Sequence, residues 1–138
     1  MIANKPDPYT LADAVRDIYD AFKRRDMADL QRTGSADIVL HIPGKSSLAG
    51  THRGIGEVIA IAARAATRFV PTTLEVVSVE AEGNDATAVV DLTGRSPDGT
   101  VDSVRLTQLF SFDDQAKVVE TWLEPQDQRK FDRLVGEP

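Results

Sequence analysis

His41 is one of only two histidines in a 138-residue chain that has no cysteine. It lies in the run Asp37 to Ile42 (Asp-Ile-Val-Leu-His-Ile), which is β-rich and ends at the turn signal Pro43-Gly44. Histidine is the residue type that trades a proton near neutral pH, so one inside an apolar strand is the leading candidate for a general base or acid. The plainer alternative is a histidine hydrogen-bonded at a strand end. Asp91 is the next residue of interest, because its neighbours are Val89, Val90 and Leu92. A carboxylate buried there is costly unless paired, so Asp91 has a partner or faces solvent. Trp122, the one tryptophan, reads as a pocket wall or a core residue. His52 and Arg53 stand in the polar stretch Gly44 to Gly54, read as a loop over a pocket mouth. Solvated loop charges and contact with a substrate carboxylate or enolate are both open there.

Several chemistries drop out at once. Without cysteine there are no disulfides, thiolate metal sites or cysteine nucleophiles, and two histidines cannot make a three-histidine zinc site. No metal site and no cofactor are expected. Gly50, Gly54 and Gly56 are spaced unlike a phosphate-binding loop.

The elements that must position these residues follow from periodicity. Residues Met1 to Tyr9 carry two prolines and read as an arm, with a single domain expected over 10–138. Thr10 caps a helix with Asp13 as a capping-box partner, and Leu11, Val15, Ile18, Tyr19 and Phe22 form its apolar stripe. That helix is expected to run to about Arg25. Asp26 caps a second, shorter helix through Leu30, stopped by Gly34. Gly56 to Phe69 is a third helix that buries Val58, Ile59, Ala62 and Ala66 and ends before Pro71. Strands are expected over Leu74–Ala81, Ala86–Arg95, Val101–Phe112 and Lys117–Glu124, with turns at Gly83-Asn84, Pro97-Asp98-Gly99 and Asp113-Asp114-Gln115. Gln126 to Val135 is a short terminal helix or tail. Helices followed by a meander of strands is an α+β layout.

Composition narrows the partners. Apolar residues are 41%, charged residues 28% and the net charge is −6, as in a soluble globular domain whose surface repels phosphate backbones. Nucleic acid is therefore not an expected partner. No apolar run approaches the ~18 residues of a membrane span, so no membrane partner is expected either. Residues Met1 to Tyr9 show no secretory signal, and a cytoplasmic location is the default expectation.

The order helix, helix, strand, helix, four strands resembles the nuclear transport factor two-like superfamily. His-Ile-Pro-Gly at 41–44, Leu48-Ala49-Gly50 and Arg53-Gly54 resemble a stretch common in SnoaL-like proteins. Thr121-Trp122-Leu123-Glu124-Pro125-Gln126-Asp127-Gln128 resembles the ending of the same group. The resemblance spans about Leu11 to Phe131. It implies a cone-shaped curved antiparallel sheet wrapped around N-terminal helices, the cystatin-like half-barrel, with one deep, mostly apolar pocket. It also implies a homodimer paired through the outer sheet faces. Ketosteroid isomerases of this fold hold a catalytic aspartate at or next to the place of His41. Their oxyanion-binding aspartate matches Gln108, and glutamine keeps the donor without a shifted pKa. Tyr19 is one residue off their oxyanion tyrosine, so packing is its first reading. Limonene-type epoxide hydrolases flank a water with two aspartates. Asp91 and Glu124 fall on those places, but Val89 stands where their arginine would be.

Alternation groups Val104, Leu106, Gln108, Phe110 and Phe112 on one face of the third meander strand. The family pattern turns the sets holding Asp91, Gln108 and Trp122 toward the pocket. The resulting expectation is a protein for a small apolar or polyketide-like molecule. As a cofactor-independent isomerase or cyclase it uses His41 as base, Gln108 as oxyanion donor and Asp91 as orienter, with Trp122, Glu124, Tyr19, Phe110 and Leu106 around the substrate. The alternatives are a hydrolase or dehydratase using Asp91 and Glu124, and a non-catalytic binding or dimerisation module.

Overall fold

The computed structural model describes residues 10–68, 73–96 and 98–136. The expected arm over 1–9, the helix end at Phe69 to Pro71 and the turn residue Pro97 lie outside the described residues. Helix α1 (Leu11–Lys23) begins where its capping chemistry dictates. Thr10 Oγ1 accepts from the Asp13 amide at 3.1 Å, and Asp13 Oδ2 accepts from the Thr10 amide at 2.9 Å. Helix α2 (Met27–Arg32) is capped by Asp26, whose carboxylate accepts from the Asp29 amide at 2.9 Å. It leads directly into β1 (Gly34–Ile42), which starts three residues before the expected Asp37.

The stretch read as a loop holds a strand, β2 (Gly50–Arg53), paired antiparallel with β1. It is a short edge strand with no buried residue, so no apolar alternation betrays it. His52 and Arg53 therefore stand on a strand. Helix α3 (Ile55–Arg68) follows. Val58 and Ala66 are buried as expected; Ile61 joins them, while Ile59 and Ala62 are half-buried. Strands β3 (Thr73–Glu82), β4 (Asp85–Arg95), β5 (Val101–Phe112) and β6 (Val118–Pro125) make the meander. Helix α4 (Gln128–Val135), capped by Asp127, closes the described chain.

The sheet has six strands in the order β2-β1-β6-β5-β4-β3. It is mixed rather than antiparallel throughout, because β1 runs parallel to β6. That pairing sets Leu40 opposite Thr121 and His41 opposite Trp122. Register breaks in β1, in β3 between Val76 and Ser78, and at the β5–β6 pair by Ser111 mark bulges, which bend strands and curve the sheet. The helices pack on one face, giving the α+β architecture with a curved open sheet.

Alternate residues of β5 carry much of the core: Val104, Leu106, Phe110 and Phe112 are 2–4% exposed. Each such side chain contributes about 1.5–3 kcal/mol on burial. Helix α4 adds Phe131, Leu134 and Val135. Its seat depends on Gly44, at φ +97°, where a Cβ would run into Gln128 and the Asp132 carboxylate. Gln128 Nε2 donates to the Pro43 carbonyl at 3.2 Å, and Asp132 Oδ2 accepts from the Lys45 amide at 3.2 Å. Among the described residues no helix is long and apolar enough to cross a membrane.

Candidate functional site

Residues directly opposite one another in a sheet share a face, so register decides which side chains meet. Gln108 pairs with Ala88 on β4 and with Leu123 on β6. Asp91 pairs with Arg105, and Trp122 pairs with Leu109 and His41. The inner face, toward the helices, therefore carries Val90, Leu92, Leu106, Gln108, Phe110, Thr121, Leu123, Leu40 and Ile42. The expectation that the sets of Asp91, Gln108 and Trp122 look into one pocket is corrected: only the set of Gln108 does. The other two are an odd number of residues out of step with Gln108's partners Ala88 and Leu123.

Between this inner face and the helices lies a cavity of about 170 Å³. Its walls include Ile18 and Phe22 of α1, Val58 and Ile61 of α3, Phe131 of α4, and Leu106 and Phe110 of β5. Tyr19 lines the cavity as well. The Tyr19 ring meets Phe110 edge to face, with centroids 6.1 Å apart and planes at 81°.

A short polar chain crosses this apolar space. Tyr19 Oη donates to Gln108 Oε1 at 2.7 Å. Gln108 Nε2 donates to Thr121 Oγ1 at 3.0 Å. Thr121 Oγ1 donates to the Leu109 carbonyl at 2.7 Å. Burial pushes the Tyr19 hydroxyl well above the ordinary tyrosine range, so it stays protonated. Among the described residues lining the cavity there is no Asp, Glu, His, Lys or Arg. The site offers hydrogen bonds and apolar surface without a charge.

The remaining candidates stand on the outer face. His41 Nε2 lies 2.6 Å from Glu120 Oε2, and its Nδ1 lies 3.3 Å from Thr51 Oγ1. The imidazole stacks on Trp122, with centroids 5.5 Å apart and planes at 9°. Of the two alternatives left open for Asp91, the structure gives it a partner, on the outer face: Arg105 Nε and Nη2 donate to its two oxygens at 2.8 and 3.0 Å. That guanidinium holds the Asp91 carboxyl below the ordinary carboxylate value. Glu124 is exposed and pairs in register with Thr107. Asp91 and Glu124 stand on strands flanking β5, about 10 Å apart by strand spacing alone. A broad surface groove runs past His41, Trp122 and Glu124. The structure thus brings together Tyr19, Gln108, Phe110 and Leu106 inside, and His41 with Trp122 outside. Thr121 is a polar cavity residue that sequence reasoning missed, and Thr33 is another. The signal for Thr121 was its place between Glu120 and Trp122, the opposite parity to the tryptophan.

Known proteins place the chain more closely. The sequence profile of the SnoaL-like domain matches residues 15–121. The chain belongs to the SnoaL-like domain family. Among curated proteins it is similar to the uncharacterised proteins Rv0034 of Mycobacterium tuberculosis and Mb0035 of Mycobacterium bovis. Each is 38% identical over 74 residues, which is 51% of this chain and 56% of theirs. The match thus spans little more than half the length of these relatives. Solved structures agree in fold. A cystatin-like protein from Xanthomonas campestris superposes with a TM-score of 0.82 at 24% identity, covering 93% of this chain and 99% of its own. TerC, co-crystallised with polyporic acid, gives 0.79 at 18% identity, over 91% of this chain and 98% of its own. IdmH from Streptomyces antibioticus, for which a polyketide cyclase role has been put forward, gives 0.74 at 19%, over 91% and 96%.

Proposed function

We propose that this SnoaL-like protein holds a small, neutral, largely apolar molecule of the polyketide-like kind in its inner cavity, with the oxygen-bearing end of that molecule at Gln108 and Tyr19. One observation carries this reading. The cavity is apolar except where a few uncharged polar side chains converge, which is the usual composition of a small-molecule pocket. Its volume of about 170 Å³ suits one six-membered ring with a substituent or two. A dry cavity of about 150 Å³ in another protein holds benzene. The co-crystallised TerC supports a small-molecule role for the fold.

Binding is favoured over proton transfer by the absence of a base. A general base must reach the proton and titrate near the working pH. Among the described lining residues the only titratable side chain is Tyr19, and burial moves it away from neutrality. His41, Glu120 and Asp91 stand on the other side of the sheet. Titration with 4-methylcyclohexanone, followed by methyl NMR, tests the reading. Shifts are expected at Leu106, Val90 and Leu123 but not at the outer Leu109, and His41→Ala is expected to leave the affinity within twofold. Shifts confined to the outer face would overturn it.

A second reading, a cofactor-independent cyclase or isomerase, is favoured by one feature. The Gln108 amide has an N–H beyond the one given to Thr121, set in apolar surroundings where a donor stabilises developing charge on oxygen. The likeness to IdmH supports it. Deuterium exchange next to the carbonyl of the same ketone, lost in Gln108→Leu, is the expected result; no exchange above buffer removes it. We also read the chain as a homodimer paired through the outer sheet face, where Trp122 and Leu109 are half-buried in the single chain. Sedimentation at the mass of one chain would remove that part.

A further inference from the structure

We infer that the group recognised at the polar end of the cavity is a neutral hydroxyl, an alcohol, phenol or enol, in preference to a carbonyl. This rests on the cavity being the binding site, and it follows from the direction of the hydrogen bonds there. A carbonyl only accepts, so the Leu109 carbonyl fixes the Thr121 hydroxyl as its donor, at 2.7 Å. Thr121 Oγ1 has then spent its proton and must accept from Gln108, at 3.0 Å, which sets the amide nitrogen on that side. Gln108 Oε1 is thereby turned toward Tyr19, and the phenol must donate to it, at 2.7 Å. The orientation of a glutamine amide and of two hydroxyl hydrogens is settled by a main-chain acceptor.

The residual capacity is lopsided. One Gln108 N–H is the only donor left to the three side chains, since the protons of Tyr19 and Thr121 are committed. Against it stand oxygen lone pairs on Tyr19, Gln108 and Thr121. A ketone oxygen can take the N–H and nothing more. A hydroxyl can take the N–H on its oxygen and give its own proton to Tyr19 Oη or another of these acceptors. Each of the three side chains already has a partner, so the difference lies in spare capacity: the hydroxyl compound uses both the free N–H and an idle lone pair, the ketone the N–H alone. An ammonium would also donate, but among the described lining residues there is no carboxylate to receive its charge. Tyr19 therefore acts on the ligand as an acceptor, with its own proton locked into the fold.

The test uses three near-isosteric probes on the full chain: 4-methylcyclohexanol, 4-methylcyclohexanone and methylcyclohexane, with affinities read from methyl NMR titrations. The alcohol is expected to bind wild-type protein at least tenfold more tightly than the ketone. In Tyr19→Phe, and again in Thr121→Val, the ratio of alcohol to ketone affinity is expected to change from its wild-type value, because each removes one of the acceptors and alters the Gln108 amide's partners. The wild-type ranking stands without the variants, should they fold poorly. A ketone that binds as tightly as the alcohol, or an alcohol preference that survives unchanged in both Tyr19→Phe and Thr121→Val, overturns the inference but leaves the cavity as the binding site. Failure of all three probes, the hydrocarbon included, overturns the cavity reading and this inference with it.

Discussion

The two faces of one sheet are built from the same six strands, yet they differ in kind. The inner face holds apolar side chains and a chain of uncharged hydrogen bonds from Tyr19 through Gln108 to Thr121. The outer face holds the titratable groups: the Asp91–Arg105 ion pair, Glu124, and His41 between Glu120 and Trp122. Neighbouring residues change character at every step, as in Glu120, Thr121, Trp122. The lesson is that richness in acid–base residues does not locate a site on a two-faced sheet. Charges gather where water pays part of their desolvation, and a pocket for a neutral ligand is marked instead by a few polar atoms in apolar company.

The largest test compares adjacent residues of β5. Phe110→Ala on the inner face should cost about 3–5 kcal/mol, for lost burial plus the enlarged cavity. Leu109→Ala on the outer face, where the side chain is half-buried, should cost about 1 kcal/mol. Urea denaturation of both variants at concentrations where the chain is monomeric measures the gap; equal costs there would mean that the outer face is packed within the single chain.

Next in size is the polar chain. Thr121→Val leaves a Gln108 N–H without its partner and should cost about 1–3 kcal/mol. Thr107→Val, on the outer face of the adjoining strand, should stay within about 0.5 kcal/mol. If Thr121→Val were neutral by the same measurement, a water or a turned amide would be replacing the hydroxyl, and the fixed direction of the chain would be lost.

The contrast of faces also explains what the sequence could and could not say. Caps and turns are local, and Thr10 with Asp13, Asp26 and Gly83-Asn84 all fall where short-range chemistry puts them. Alternation within a strand is local too, so Leu106, Gln108 and Phe110 were rightly grouped. Which group on β4 and β6 joins them depends on register, a long-range property that one strand does not encode. Hence sequence alone turns Asp91 and Trp122 toward the pocket and gives no place there to Thr121. Strand β2 escaped because its partner β1, rather than its own pattern, makes it a strand. The parallel contact of β1 with β6 is likewise a matter of closure between distant segments.

Tyr19 gives a test that depends on pH. Burial raises its folded pKa above the ordinary 10.0. Below pH 10 the phenol is protonated whether the chain is folded or not, and its contribution is whole. As pH rises through 10 and above, the unfolded phenol ionises first and the unfolded state gains, so stability is lost until the folded value is passed. One proton gives a slope of up to about 1.4 kcal/mol per pH unit. Urea midpoints from pH 9 to 11 should fall faster in wild type than in Tyr19→Phe. Parallel curves would mean that the hydroxyl reaches water.

The smallest effect is expected at Asp91, which the sequence casts as the orienter of a base or as one of two carboxylates about a water. Arg105 lowers the pKa of Asp91 below the ordinary 3.8, so this pair stabilises the fold above pH 3.8 and is lost as pH falls through the lowered value. Both groups are solvated, which screens the pair and makes its contribution small. Asp91→Asn should therefore leave the affinity for 4-methylcyclohexanol unchanged within twofold. Its slight stability deficit at pH 7 should close as the solution is taken below pH 3.8. A many-fold loss of affinity in Asp91→Asn would instead couple the two faces through β4 and β5. The ion pair would then belong to the ligand site, and the division between a charged outside and a neutral inside would no longer describe how the protein works.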